Sequence, residues 1–342
     1  MTTHRIITGN SRHLSSIKDK SIDLVVTSPP YPMIEMWDSL FCAEDPSITD
    51  DLSNADGFSA FSKMHHVLNE VWTECDRVLK DNGFICINIG DATRTLNGNF
   101  QMYPNHANII SFFHNLGYST LPDIHWRKPS NAPNKFMGSG MYPAGAYVTY
   151  EHEYILVFRK GGKRVFSGES RKKRQKSAYF WEERNVWFSD LWEIKGTTQL
   201  ISSTGEHRER NASFPLDIPY RLVNMYSAEG DLVLDPFAGL GTTNLACMIS
   251  QRNSIGVEIN PQIATLAVTN ISKTPSQLNK IIDARLANHI SFIESLTAEK
   301  QEKCYENPHH GFKVKTKQET DLHIERVKSI EVKDNFISCS YH

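Results

Sequence analysis

Cysteine is scarce: six in 342 residues, at Cys42, Cys75, Cys86, Cys247, Cys304 and Cys339. That is too sparse for a disulfide scaffold, and no two form the CxxC pair of a zinc or redox site. Reduced thiols in a cytoplasmic protein, mostly in the core, are the expectation, with no metal site. Long hydrophobic runs are missing too. No stretch approaches the ~18 consecutive apolar residues of a membrane span. The first thirty residues lack a charged segment followed by an apolar one, so no secretory signal is expected. Net charge is small: 37 Lys and Arg stand against 39 Asp and Glu, a formal −2. A uniformly basic coat is excluded; a local basic face is not. No internal repeat is present. What remains, 39% apolar and 22% charged, can fill a core and is too apolar for wholesale disorder.

The chain reads as alternating strands and helices. Ile22-Asp23-Leu24-Val25-Val26 predicts a strand that ends in Thr27-Ser28-Pro29-Pro30-Tyr31-Pro32. Prolines at three of four positions there can continue neither a sheet nor a helix interior, so the strand delivers a stiff loop. Residues 38–57 are acidic and turn-rich, without a clear period. Apolar residues from Phe58 to Leu79 recur at three- and four-residue spacing and predict a helix over 58–80, stopped by Asp81-Asn82-Gly83. Phe84–Ile89 reads as a buried strand, 105–117 as a helix, and Asp123–Trp126 and Glu153–Phe158 as further strands. Between 159 and 176 stand nine Lys or Arg and a single acid, Glu169, followed by aromatics from Tyr179 to Trp192. In a chain this neutral, such a run beside aromatics predicts a surface for phosphate backbones, carried by Lys163, Arg164, Arg171, Lys172, Lys173 and Arg174. Late in the chain lies the clearest βαβ unit: strand 231–234, a glycine loop 235–241, a helix from Thr242, and a strand ending at Glu258. After 299 a Lys/Glu/His-rich tail predicts a short hairpin or ordered extension.

Two loops carry chemistry. Asp235-Pro236-Phe237-Ala238-Gly239-Leu240-Gly241-Thr242-Thr243 puts bare backbone beside a ligand, because glycine has no Cβ to block approach. It is not the dinucleotide GxGxxG, since Asn244 stands where the third glycine belongs. Glu258, seventeen residues after Gly241, ends the next strand, where a carboxylate can accept both hydroxyls of a ribose. Loop and carboxylate together suit an adenosyl ligand without a pyrophosphate. The early loop, Ser28 to Tyr31, sits at the strand edge where open α/β sheets place their sites. Its prolines fix the backbone, so the serine hydroxyl and the carbonyls point in set directions; Tyr31 offers a ring face for stacking.

Thr-Ser-Pro-Pro-Tyr early and Asp-Pro-Phe-Ala-Gly-x-Gly-Thr-Thr late resemble the two signature motifs of the S-adenosylmethionine-dependent DNA amino-methyltransferases, in the order of their beta group. Leu79–Phe84 is similar to the family's helix-to-strand segment. Trp126-Arg127-Lys128-Pro129 is similar to a segment that helps form the target-base pocket. Asn211-Ala212-Ser213-Phe214-Pro215 is similar to the one completing the cofactor pocket, although Asn211 stands where a His-Pro pair is common. The resemblance covers roughly residues 5–130 and 205–295. It implies an α/β fold: a mostly parallel, seven-stranded Rossmann-like sheet with helices on both faces, plus an inserted DNA-recognition region. The catalytic half would span 1–128, the recognition region 129–204, the cofactor half 205–298 and an extension of unassigned role 299–342.

The resemblance further implies S-adenosyl-L-methionine as cofactor and double-stranded DNA as partner. Asp235, Phe237, Gly239, Gly241, Thr242, Glu258, Ser213 and Phe214 would hold the cofactor; Ser28, Pro29, Pro30 and Tyr31 would act on the target amino group. Serine at the first motif position goes with cytosine N4 in the family, aspartate with adenine N6, and asparagine with glutamine-modifying enzymes. Ser28 therefore points to N4-methylcytosine in a restriction-modification system, with adenine N6 as the alternative. A restriction endonuclease acting on the same site and a homodimer are compatible partners that the chain does not spell out. Two rival readings are a non-catalytic DNA-binding relative, against which intact Ser28, Tyr31, Gly239, Gly241 and Glu258 speak, and a nicotinamide oxidoreductase, against which the missing third glycine speaks.

Overall fold

The structure, a computed structural model, describes residues 1–128, the backbone of 137–138, and residues 142–196 and 214–342. Its centre is a ten-stranded sheet. The strands are β1 Thr2–Thr8, β2 Ile22–Thr27, β3 Leu79–Ile89, β4 Ser119–Arg127 and β5 His152–Arg159. They continue with β6 Leu191–Glu193, β7 Leu232–Asp235, β8 Asn253–Glu258, β9 Val327–Lys333 and β10 Phe336–Tyr341. Their order is β6-β4-β5-β3-β2-β7-β8-β1-β10-β9. Five neighbours, β3-β2-β7-β8-β1, are mutually parallel. β5 and β10 run against the rest.

The expected seven-stranded sheet is present as β4-β5-β3-β2-β7-β8-β1, and the count is corrected by three added strands. β6 pairs with β4 at one edge. The tail supplies the other two: β9 and β10 form a hairpin that pairs with β1 and covers the edge β1 would expose. The segment 129–204, expected as an inserted recognition region, contributes to the sheet itself, because β5 lies inside it and sits between β3 and β4.

Every residue of β2 is buried, as a central parallel strand covered on both faces requires. Leu24 and Val26 face a core with α7 Asp217–Tyr226, α8 Thr242–Ile249, α9 Pro261–Ile271 and α10 Pro275–Glu294. Val25 faces the opposite core, with α3 Gly57–Val78 and α4 Asn105–Asn115. Asp56 caps α3 by accepting from the Ser59 N–H. α3 ends at Val78, ahead of the expected Asp81-Asn82-Gly83 stop, and Leu79 is already extended. The Asn-Gly pair instead makes an irregularity inside β3, with Asn82 at φ +71. Phe58, placed on the apolar face by its spacing, is 65% exposed. Residues 38–57, which showed no period, hold two seven-residue helices, α1 Asp38–Glu44 and α2 Ser47–Ser53. Among the described residues no helix is long and apolar enough to cross a membrane.

Candidate active site

Because β2, β7 and β8 are parallel neighbours, the loops after them emerge side by side at one edge of the sheet. Between them lies a cavity of about 500 Å³. Ser28 and Pro30 form one wall; Asp235, Phe237, Gly239 and Glu258 form another. Phe237 is braced edge-on by the buried Trp72 of α3, ring centroids 5.9 Å apart.

Asp235 ties the two loops together. Its Oδ1 accepts from Thr27 Oγ1 at 2.6 Å and from the Phe237 N–H at 3.1 Å; its Oδ2 accepts from Thr243 Oγ1 at 2.6 Å. Burial nevertheless outweighs these bonds and pushes its carboxyl up to about 6. Glu258 accepts from the Gly239 N–H at 3.1 Å and the Asn260 N–H at 2.8 Å, and burial raises its pKa. These bonds fix the carboxylate at the cavity wall.

The two loop glycines do different things. Gly239 has φ +50 and nothing within 4 Å of where a Cβ would stand. It lines the cavity, and the same open space lets a ligand meet the backbone. Gly241 does not line it. At φ +76 it caps α8, and a Cβ there would lie 2.8 Å from Ile271 Cγ2, so this glycine serves helix packing. Thr242 and Phe214 do line the cavity; Ser213 lies outside the described residues.

In the loop after β2, Pro29 and Pro30 are buried and Ser28 is half-buried. Tyr31 turns its hydroxyl into a polar cluster: it stands 3.0 Å from Ser28 Oγ, donates to Glu153 Oε2 at 2.8 Å, and accepts from Asn88 Nδ2 at 2.8 Å. Asn88 and Glu153 escaped the sequence reading, whereas Lys128, which bonds the other carboxylate oxygen, entered it only within the segment Trp126-Arg127-Lys128-Pro129. The one available signal was an asparagine inside the apolar run of β3. Gly9, Asn10 and Ser11, which follow β1 onto the cavity wall, were missed because β1 itself was not read as a strand.

The basic run is not brought to this site. β5 is antiparallel to β3, with Arg159 opposite Phe84, so the chain beyond it emerges at the other edge of the sheet. There Arg164 makes a two-pronged ion pair with Asp231 at the head of β7, at 2.6 and 2.8 Å. Lys172 pairs with Glu169 at 2.7 Å within α5 Gly168–Lys176. Lys163, Arg171, Lys173 and Arg174 are exposed. Five residues of β2 separate this edge from Ser28, about 17 Å at the usual strand rise.

Comparison with known proteins settles the family. Residues 22–269 match the N6/N4 methyltransferase model described as DNA methylase. The chain is 50% identical over 326 residues to the type II methyltransferase M.MthZI of Methanothermobacter thermautotrophicus, covering 94% of this chain and 90% of that one. This protein is a member of the DNA methylase family. The methylase is also 48% identical over 273 residues to the type II methyltransferase M.MjaI of Methanocaldococcus jannaschii, covering 77% and 89% of the two chains. Among solved structures it is similar to a DNA modification methylase of Thermus thermophilus, TTHA0409, complexed with S-adenosyl-L-methionine. That match has a TM-score of 0.61 and 32% identity over 79% of this chain and 93% of the other. The PvuII cytosine-N4-specific DNA methyltransferase shares the fold at a TM-score of 0.51 and 19% identity, covering 84% and 94%.

The methylase therefore uses S-adenosyl-L-methionine, and its residues fit that group. The cavity joins an open glycine backbone, an anchored carboxylate and an aromatic ring to the loop that carries Ser28.

Proposed function

We propose that this DNA methylase modifies the exocyclic N4 amino group of cytosine at a specific site in duplex DNA, as the modification arm of a restriction-modification pair. The observation that carries the reading is Ser28. It heads a proline-fixed loop, lines the cavity, and shares a hydrogen bond with the Tyr31 hydroxyl at 3.0 Å. When bound, S-adenosyl-L-methionine supplies an electrophilic sulfonium methyl group.

An exocyclic amino nitrogen is a poor nucleophile because its lone pair is delocalised into the ring. Ser28 Oγ and the Pro29 carbonyl are the proposed acceptors for its two N–H groups. Held out of plane, the nitrogen regains a directed lone pair. Orientation and fixed dipoles then supply the catalysis, with no covalent enzyme intermediate. The base must leave the duplex to reach the loop, where the Tyr31 ring is the proposed stacking surface. Pro30 closes the wall between base and cofactor. Glu258 holds the ribose, with Asp235, Phe237, Gly239, Thr242 and Phe214 forming the rest of the pocket. Ser213 completes it in the proposal, and Gly241 contributes by seating α8 rather than by contact.

Sequence recognition is proposed for parts of 129–204 outside β5. Lys163, Arg171, Lys172, Lys173 and Arg174 are proposed to contact phosphates of flanking duplex, since they face away from Ser28. Arg164 leaves that set, being committed to Asp231. Modified-base sequencing of DNA from cells expressing the protein tests the reading. N4-methylcytosine at one recurring sequence is the expected result. N6-methyladenine there would move the assignment to the alternative base, and unmodified DNA would refute it.

A further inference from the structure

Glu153, the second residue of β5, reaches across β3 to the loop that carries Ser28 and Tyr31. Its side chain is 12% exposed, and every neighbour that it meets through hydrogen bonds is a donor. Tyr31 Oη donates to Oε2 at 2.8 Å and Asn88 Nδ2 to the same oxygen at 2.6 Å, while Lys128 Nζ holds Oε1. Three donors converging on one carboxyl suit its ionised, acceptor-only form. The contact has been given room. A Cβ on Gly90, just past the end of β3, would lie 3.0 Å from Tyr31 Cε2 and 3.3 Å from Glu153 Cγ.

This carboxylate fixes the direction of a chain of hydroxyl groups. The phenol has one hydrogen, and Glu153 takes it. Tyr31 Oη can then only accept from its other partners, Asn88 Nδ2 at 2.8 Å and Ser28 Oγ at 3.0 Å. The Ser28 hydrogen is thereby spent on Tyr31. What Ser28 presents to the cavity it lines is lone pairs. Without the carboxylate, Ser28 could as well point its hydrogen at the target nitrogen, where it would tie up the lone pair needed for attack.

We propose that Glu153 is the positioning residue that makes Ser28 an obligate acceptor for the target amino group and receives, through Tyr31, the proton that group sheds. The inference rests on the methyltransferase reading above. Formation of the N–C bond, with the pair of the broken S–C bond left on sulfur, leaves the nitrogen with one proton too many. That proton passes to Ser28 Oγ as the Ser28 proton passes to Tyr31 Oη and the Tyr31 proton to Glu153 Oε2. One proton moves, the carboxylate ends as the acid, and solvent takes the proton at its exposed edge. Tyr31 need not exist as free phenolate at any point, which matters because burial and the neighbouring Glu153 charge hold its pKa well above that of a free phenol.

The test is Glu153→Gln, nearly isosteric, beside Tyr31→Phe, which cuts the chain but keeps the carboxylate. Single-turnover methylation should fall about 100-fold or more in each, the scale of a positioned proton acceptor. Affinity for S-adenosylmethionine should stay within about twofold. The double variant should be no slower than the worse single one, because both break the same chain. The charged or titratable groups facing Glu153 are Tyr31 from the loop after β2 and Lys128 from the end of β4, while β3 contributes the neutral Asn88.

A readout free of turnover is the ¹³Cζ resonance of Tyr31 in the ligand-free protein, assigned by its loss in Tyr31→Phe. It should shift upfield in Glu153→Gln, as the phenol loses an ionic acceptor. An unmoved resonance, an unchanged methylation rate in Glu153→Gln, or multiplying losses in the double variant would each overturn the proposal. A wild-type protein that transfers no methyl group to DNA would instead overturn the methyltransferase reading, and the resonance would still report on the hydrogen-bond chain.

Discussion

Replacing Asp235 by Asn should stabilise the protein relative to wild type as pH rises, and by an amount the structure sets. Asp235 is 3% exposed and accepts three hydrogen bonds, from Thr27, Thr243 and the Phe237 N–H. Burial still prevails and moves its carboxyl from 3.8 to about 6. The native state therefore binds this proton more tightly than the unfolded chain does. The associated stability is fully present below about pH 4 and is lost as pH rises through about 6. Each tenfold in proton affinity is ~1.4 kcal/mol, so the loss amounts to roughly 3 kcal/mol. Asparagine has no charge to bury and escapes it. Urea unfolding of both proteins at pH 4 and pH 7, at constant ionic strength, should show the stability difference shifting toward Asp235→Asn by that amount. A difference that stays the same at the two pH values would refute the reasoning, because it would mean that Asp235 does not change its protonation within the window.

Three other outcomes follow from the site. Ser28→Ala should lower single-turnover methylation by roughly tenfold to a thousandfold, the scale of one positioned hydrogen-bond partner, with cofactor affinity little changed; an unaltered rate would remove Ser28 from the chemistry. Glu258→Ala should weaken S-adenosylmethionine binding by about 1.5–3 kcal/mol in calorimetry, the range for a hydrogen bond to a charged group, and equal affinity would contradict its role at the ribose. Changing Arg171, Lys172, Lys173 and Arg174 to Ala should weaken binding to specific and unrelated duplexes alike. The log–log salt slope should flatten by about 0.9 for each phosphate no longer neutralised, and the methylated sequence should stay the same. An unchanged slope would leave α5 a solvated face.

The site was legible where chemistry is local in the chain. Ser28-Pro29-Pro30 and the glycine loop announce themselves because proline and glycine dictate backbone geometry whatever surrounds them. Glu258 could be placed by counting along a βαβ unit. The parallel order of β2, β7 and β8 then brings these pieces together, as an open α/β sheet does at the ends of its strands. Features set by strand direction were not legible. Charge composition marks 159–176 as basic but not which edge of the sheet it occupies, and the antiparallel run of β5 sends it away from Ser28. The same strand carries Glu153 to Tyr31, across 122 residues of sequence. A contact of that span leaves no local trace. Gly241 shows a third limit: its position in the motif suggests ligand contact, whereas Ile271, thirty residues on, is what requires the missing Cβ. The helices α1 and α2, seven residues each, are too short to display a period.

The account is tested most directly by incubating purified protein with duplex DNA and methyl-labelled S-adenosylmethionine, then digesting the DNA to nucleosides for mass spectrometry. The predicted result is label in N4-methyldeoxycytidine, abolished or sharply reduced in Ser28→Ala. Label in N6-methyldeoxyadenosine would contradict the assignment of the target base, and no label in DNA would contradict the function.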